Sequence, residues 1–195
     1  MENKINIIAT IKDGAIFGFK NFPSILVAVV LYVLTCWIPW LNVGTTVGMC
    51  KFVIELSKGK VVDPTILFKS ENWDNLGNLF LFLGLAAMGL TAATVFMAIP
   101  GIILSIAWSF AIYFLVDRKM KPVEALELSY KATKGEKWRI VAIHVLATIA
   151  VTIVCTLFGL VPKVGAVLAV IAGILCVAII LAIESVMFKH FNEKV

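Results

Sequence analysis

The chain has 195 residues, 61% hydrophobic and 15% charged, with a net charge of +5 and a mean hydropathy of +1.01. Soluble domains are roughly 45–50% apolar, so an ordinary water-soluble fold is excluded and the membrane class is the starting point. The length suits a single integral membrane domain covering 1–195, an all-α bundle of about six spans that each need about 20 apolar residues to cross roughly 30 Å of hydrocarbon.

The chain opens on INIIATIKDGAIFGFKNF, which lacks the compact apolar core and small-residue cleavage site of a signal peptide. The first span is therefore expected to act as the insertion signal. It is expected at 22–38, followed by a turn at Pro39-Trp40 and a second span at 41–56. In the second span Gly44 and Gly48 form a GxxxG, a face that lets another helix approach closely. Lys51 and Glu55 fall on that same face; they are four residues apart and can pair, in the weaker Lys-before-Glu order.

After the charged segment VVDPTILFKSENWDNL, residues 75–116 contain no Asp, Glu, Lys or Arg. A single helix of that length would run to about 63 Å, twice the hydrocarbon thickness. The stretch is therefore divided at Pro100-Gly101, within MAIPGIIL, into spans at 75–99 and 101–116. The fourth span carries Ser105, Ser109 and Tyr113 every four residues.

In KPVEALELSYKATKGEKW, Val123, Leu126 and Tyr130 at helical spacing beside Lys and Glu predict a helix lying in the membrane interface. Pro122 suits its first position, Glu124 and Glu127 its start, Lys131 and Lys134 its end, and Gly135 a left-handed cap. The fifth span, 140–158, places His144, Thr148, Thr152 and Thr156 in line. With the serines and Tyr113 of the fourth span they form a candidate polar seam; the alternative is that each threonine bonds a carbonyl one turn back. The sixth span, 164–188, follows a turn at 159–162. It has a small-residue stripe of Gly165, Ala169 and Gly173, with Glu184 on the same face. The second and sixth spans are expected to pack together with Lys51 between Glu55 and Glu184, a candidate buried ion cluster.

The turn prolines at 39, 100 and 162 are 61 and 62 residues apart, and a charged segment precedes each hairpin. This predicts three hairpins, each behind a cytoplasmic interface helix, and a threefold internal repeat with units of approximately 1–59, 60–120 and 121–195. Of the seventeen Lys and Arg residues, fifteen then fall on the side of the termini, Lys51 lies in a span, and Lys163 lies opposite. The positive-inside rule places both termini in the cytoplasm. The cations face anionic lipid headgroups, not nucleic acid. Trp37, Trp40, Trp73 and Trp138 at span boundaries fit an aromatic belt.

The four cysteines stand singly without CxxC spacing, so neither a metal site nor a disulfide framework is expected. No HExxH, GxSxG or phosphate loop occurs, and no catalytic residue or cofactor is expected.

Residues 110–140, FAIYFLVDRKMKPVEALELSYKATKGEKWRI, have Asp117 after a span, Glu124-Ala125-Leu126 and Ser129 on a short helix, Lys134-Gly135 as its stop, and Trp138 entering the next span. FGFKNF at 17–22, Asn42 and Gly44 after the first proline turn, Lys58-Gly59, Leu67-Phe68 and IPGIIL accompany them. With these features the chain resembles bacterial multi-span membrane proteins of unknown function related to the membrane domain of glycerophosphodiester phosphodiesterases. The resemblance implies a plasma-membrane protein and brings no catalytic residue, the phosphodiesterase chemistry belonging to a separate soluble domain. The function expected is non-enzymatic, either lipid or envelope organisation or an oligomeric membrane scaffold. The alternative is a channel or transporter for a small solute or lipid along the polar seam.

Overall fold

The computed structural model describes residues 4–160 and 165–195. Among these no strand occurs. The helices are α1 (Ile7–Lys20), α2 (Phe22–Thr35), α3 (Pro39–Ser57), α4 (Leu76–Phe96), α5 (Ala98–Ala107), α6 (Ala111–Arg118), α7 (Pro122–Ala132), α8 (Lys137–Gly159) and α9 (Gly165–Lys194), with 3-10 turns at Pro64–Phe68 and Ser70–Asn72. Among the described residues four stretches are long and apolar enough to cross a membrane: Ser70–Phe96, Ala98–Arg118, Lys137–Gly159 and Ile171–Lys194. A fifth arises if α1 and α2, which meet at 83° across Asn21, are counted as one.

Four or five such stretches, against the six spans expected, has a simple cause. The 14 residues of α2 rise about 21 Å, short of the roughly 30 Å required. The 19-residue α3 carries Lys51 and Glu55, and it is enclosed by its neighbours, burying Val47, Cys50, Phe52, Val53 and Leu56.

The division of 75–116 into a hairpin holds, with its break moved. The chain turns at Met97, whose backbone is extended at φ −163° and ψ 141°, and Pro100 lies inside the first turn of α5. There its missing N–H is one the helix would leave unbonded anyway. Pro39 likewise opens α3 after a turn at residues 36–38. Pro162 lies outside the described residues. The expected span 101–116 is interrupted at residues 108–110, between α5 and α6. Trp108 from this break lies against Gly89 of α4, where a Cβ would meet the indole at 2.6 Å.

The three segments ahead of the hairpins take three different forms. The first is α1, which packs along α9. The second is the pair of 3-10 turns resting on α3. The third is α7, which begins at Pro122 with the Lys121 N–H donating to the Glu124 carboxylate at 3.3 Å. Gly135, at φ +82°, takes the left-handed conformation expected of it. α7 is not only a surface helix. Ala125, Leu126, Ser129 and Ala132 are buried, and the Ser129 hydroxyl donates to the Ala107 carbonyl at 2.7 Å. That bond satisfies an acceptor left open where α5 ends.

Two apolar clusters hold the bundle. One joins α6, α7, α8 and the far end of α9, with Phe110 and Phe191 at 5.0 Å and Phe114 and Phe188 at 5.4 Å between ring centroids. The other joins Ile25 and Ala28 of α2, Phe52 and Leu56 of α3, Leu67, and Ala178 and Ala182 of α9.

Candidate functional site

The polar chemistry of the molecule gathers around the end of α3. Two adjoining clefts, of about 460 Å³ and 260 Å³, share Lys51, Glu71 and Val116. The larger is walled by α3, residues 60–71 and the end of α6; the smaller by Asn75 and Asn78 at the start of α4 and by Lys119. The segment from Leu67 to Trp73, which carries Glu71, seats on α3 because Gly44 and Gly48 have no side chain. A Cβ at Gly44 would strike the Trp73 ring, and one at Gly48 would sit 2.8 Å from the Asn72 amide nitrogen and 2.9 Å from the Leu67 carbonyl. Asn72 fixes this segment by donating to the Ile66 and Leu67 carbonyls at 2.9 Å and 3.0 Å. The GxxxG of α3 therefore receives the 3-10 segment and not α9, as had been expected.

Lys51 and Lys60 of these clefts, and Lys58 beside them, face carboxylates. Lys51 Nζ is 3.9 Å from Glu71. Glu55 accepts from Lys58 at 2.7 Å and from Lys60 at 3.4 Å, and Lys58 also lies 3.8 Å from Asp117. The Glu55 carboxylate holds the Lys58 ammonium above the usual lysine range, against its partial desolvation.

The expected cluster of Lys51, Glu55 and Glu184 is thus divided into three separate pairings. Glu55 is taken by the lysines that follow α3. Glu184 accepts or shares a proton with His144 Nε2 at 2.7 Å. The physical reason lies in helix phase: α9 does pack on α3, but through Ala178 and Ala182, and Glu184 lies about 200° around the helix from Ala182 at about 100° per residue.

His144 is specified further by its other nitrogen, which lies 2.9 Å from the Ile140 carbonyl. A carbonyl only accepts, so Nδ1 carries a proton. The 2.7 Å contact between Nε2 and Glu184 then requires one more proton between them. The pair is either imidazolium with carboxylate or imidazole with carboxylic acid.

The remaining members of the expected seam are not brought together around a channel. Ser105 donates to the Ile102 carbonyl at 2.8 Å and Ser109 to Ile106 at 2.9 Å; Thr152 donates to Thr148 at 2.8 Å and Thr156 to Thr152 at 2.7 Å. Each hydroxyl is satisfied within its own helix, and these four residues and Thr148 are exposed on the bundle's outside. Tyr113 packs on Phe188 at 5.4 Å instead. The small-residue stripe of α9 also divides. A Cβ at Gly165 would strike the Gly159 carbonyl across the α8–α9 turn, whereas one at Gly173 would meet nothing within 4 Å. The side chain of Ala169 lies outside the described residues.

Two features had not been singled out from the sequence. Gly14 and Gly18 of α1 lie against α9, where a Cβ at Gly14 would come 2.9 Å from Ile183 Cα and one at Gly18 would come 3.2 Å from Ile179 Cα. The second is Glu136, 2% exposed. Its carboxylate accepts from the Ile5 N–H at 2.7 Å and from Lys194 at 2.8 Å, with His190 Nε2 at 3.4 Å but poorly aligned for a hydrogen bond. Arg139 completes the junction by donating to the Ile5 carbonyl at 2.7 Å. The start of the described chain, the end of α9 and the α7–α8 connection therefore meet at one carboxylate. Burial alone would raise the Glu136 carboxyl; Lys194, the Ile5 amide and His190 outweigh it and hold the group below the usual glutamate range.

A third cleft, of about 570 Å³, lies between α5 and the start of α8. Its walls are apolar, and it opens beside the α7–α8 connection. No protein-family model, curated protein or solved structure matches this chain.

Proposed function

We propose that this is a non-enzymatic integral membrane protein of six crossings, with both termini cytoplasmic, that organises lipid in a bacterial plasma membrane. One observation carries the reading. Apolar side chains stay exposed along most of α4, from Phe80 to Phe96, and along α8, from Trp138 to Phe158. Contiguous apolar faces of this size belong against lipid or another subunit.

The charges support the same arrangement. Lysines and carboxylates gather where the termini, the end of α3 and the α6–α7 connection meet, with Arg118 donating to the Asn192 side chain at 2.9 Å. That is the end the positive-inside rule assigns to the cytoplasm. Six crossings require α2 and α3 to form the first hairpin despite their polar content. The contacts between Thr35 and Thr45 at 2.9 Å and Tyr32 and Thr46 at 3.2 Å support an antiparallel pair there. Hydroxyl pairs of this kind join helices where water is absent.

The test is native mass spectrometry of the protein released directly from its membrane, alongside solute-flux measurements in vesicles and cysteine labelling at residues 38 and 98 in intact cells. Retained lipid, no flux and labelling of both turns from outside are expected. A bare protein with rapid flux would favour the channel reading and sink this one. Labelling of the turns from the inside only would overturn the topology. The same spectra report whether a second copy is bound.

A further inference from the structure

The cleft between α5 and α8 differs from the other two in what lines it. Ile99, Ile102, Ile103 and Ile106 form one wall, Trp138 and Val141 the other, and Lys134, Gly135 and Lys137 close one end. No carboxylate lines it, whereas Asp and Glu line both clefts around Lys51. Lys134 makes no ion pair among the described residues, and Lys137 rests its ammonium 4.4 Å from the Tyr130 ring centre, a contact that leaves its charge uncompensated.

We propose that this groove holds an acyl chain of an anionic phospholipid, with the headgroup phosphate on Lys134 and Lys137. Size fits the occupant. From Ile99 to Ile106 the wall rises about 10 Å, room for a stretch of acyl chain. Chemistry fits it too: a chain of methylenes meets only isoleucine, valine and indole until the groove reaches its basic end. Trp138, 81% exposed, is then placed at headgroup level, where indole is favoured. A soluble acidic peptide has no use for a 570 Å³ apolar slot, and a second copy of this chain would need to bring carboxylates to the lysines.

The inference rests on the reading that the protein organises lipid, and the experiment separates the two. Full-length protein in vesicles is exposed to phosphatidylglycerol or phosphatidylcholine brominated on the acyl chain, and tryptophan quenching is measured for the wild type and W138F; the difference reports Trp138. Two lysines near a headgroup favour the anionic lipid by roughly fivefold each, so preferential quenching of Trp138 by brominated phosphatidylglycerol, roughly tenfold or more, is expected. It should collapse in K134Q/K137Q, both positions being peripheral to the core. A preference that survives the double substitution overturns the assignment, as does equal quenching by the two lipids. If the other tryptophans are quenched while Trp138 is not, the groove is covered by protein and the proposal fails alone. If no tryptophan is quenched by either lipid, the membrane reading itself has failed.

Discussion

Substituting Glu136 by glutamine should loosen the junction that holds the two ends of the chain together. Glutamine keeps the shape and one acceptor, so the Ile5 N–H retains a partner, but the charge that holds Lys194 is gone. Hydrogen bonds to a charged group contribute about 1.5–3 kcal/mol and neutral ones about 0.5–1.5; two such bonds, to Ile5 and Lys194, each lose about 1 kcal/mol. Removing one partner of a fully buried pair would cost about 3–5 kcal/mol. The Lys194 and His190 side chains retain 22% and 23% exposure, so solvent screens part of the loss and about 2 kcal/mol is the figure to expect. That corresponds to about thirtyfold in the opening equilibrium.

Hydrogen exchange of the Ile5 amide in detergent micelles reads this directly, with a thirtyfold loss of protection expected in E136Q. The pH dependence has a definite sign. The Glu136 carboxyl is held below its ordinary value when folded, so its contribution is complete above the unfolded glutamate range of about 4.3 and disappears as pH falls through the lowered folded value. In E136Q this acid-dependent loss of protection should be missing. Unchanged protection of Ile5 at neutral pH, or an acid transition that persists in E136Q, would refute the reasoning.

Three further outcomes follow from the helix contacts. Gly14→Ala should lower thermal stability in detergent by about 1–3 kcal/mol through overpacking, because its Cβ would meet Ile183; Gly173→Ala, facing open space, should be neutral or stabilising by up to about 1 kcal/mol. A double-mutant cycle of His144→Ala and Glu184→Ala should return a coupling of about 1–2 kcal/mol, near the upper end for polar pairs between membrane helices; additive effects would show that the 2.7 Å contact is not a working bond. Ser105→Ala, Thr152→Ala and Thr156→Ala should each change stability by less than about 0.5 kcal/mol, as for surface sites. A large loss at any of them would restore the polar seam.

What the sequence disclosed was governed by distance along the chain. The hairpin within 75–116 is a matter of length against bilayer thickness, and local chemistry specified α7 down to Pro122, Glu124 and Gly135. Contacts between distant segments were different. The stripe of Gly44 and Gly48 correctly marked a close approach, but a missing Cβ does not say what fills the space, and Trp73 and Leu67 fill it here. Glu55 and Glu184 were assigned to Lys51 by helical spacing, while Lys58 and His144 are nearer. Glu136 was hidden among Lys134, Lys137 and Arg139, where a carboxylate reads as a solvated surface charge; only its position beside Ile5 and Lys194 buries it. The spacing of Gly14 and Gly18 was visible, but it lies in a segment whose lysines point to a surface helix.

The clustering of polar pairs bears on which part of the molecule is able to move. α4 and α5 form a hairpin whose outer faces are largely exposed and whose hydroxyls are bonded internally, so apolar packing and the bond from Ser129 to the Ala107 carbonyl hold it in place. α6 and α9 are bound to each other by aromatic contacts and by Arg118 and Asn192, the ends of α3 and α6 by Lys58 and Asp117, and the Glu136 junction ties the segment ahead of α1 to the end of α9. Local opening follows the weakest set of contacts, so the α4–α5 hairpin is the element that lipid occupancy would steady. The proposed lipid groove lies on α5, between this hairpin and α8. A lipid seated there adds apolar contact to both sides at once, and it stabilises the assembly only to the extent that it binds the closed arrangement more tightly than the open one.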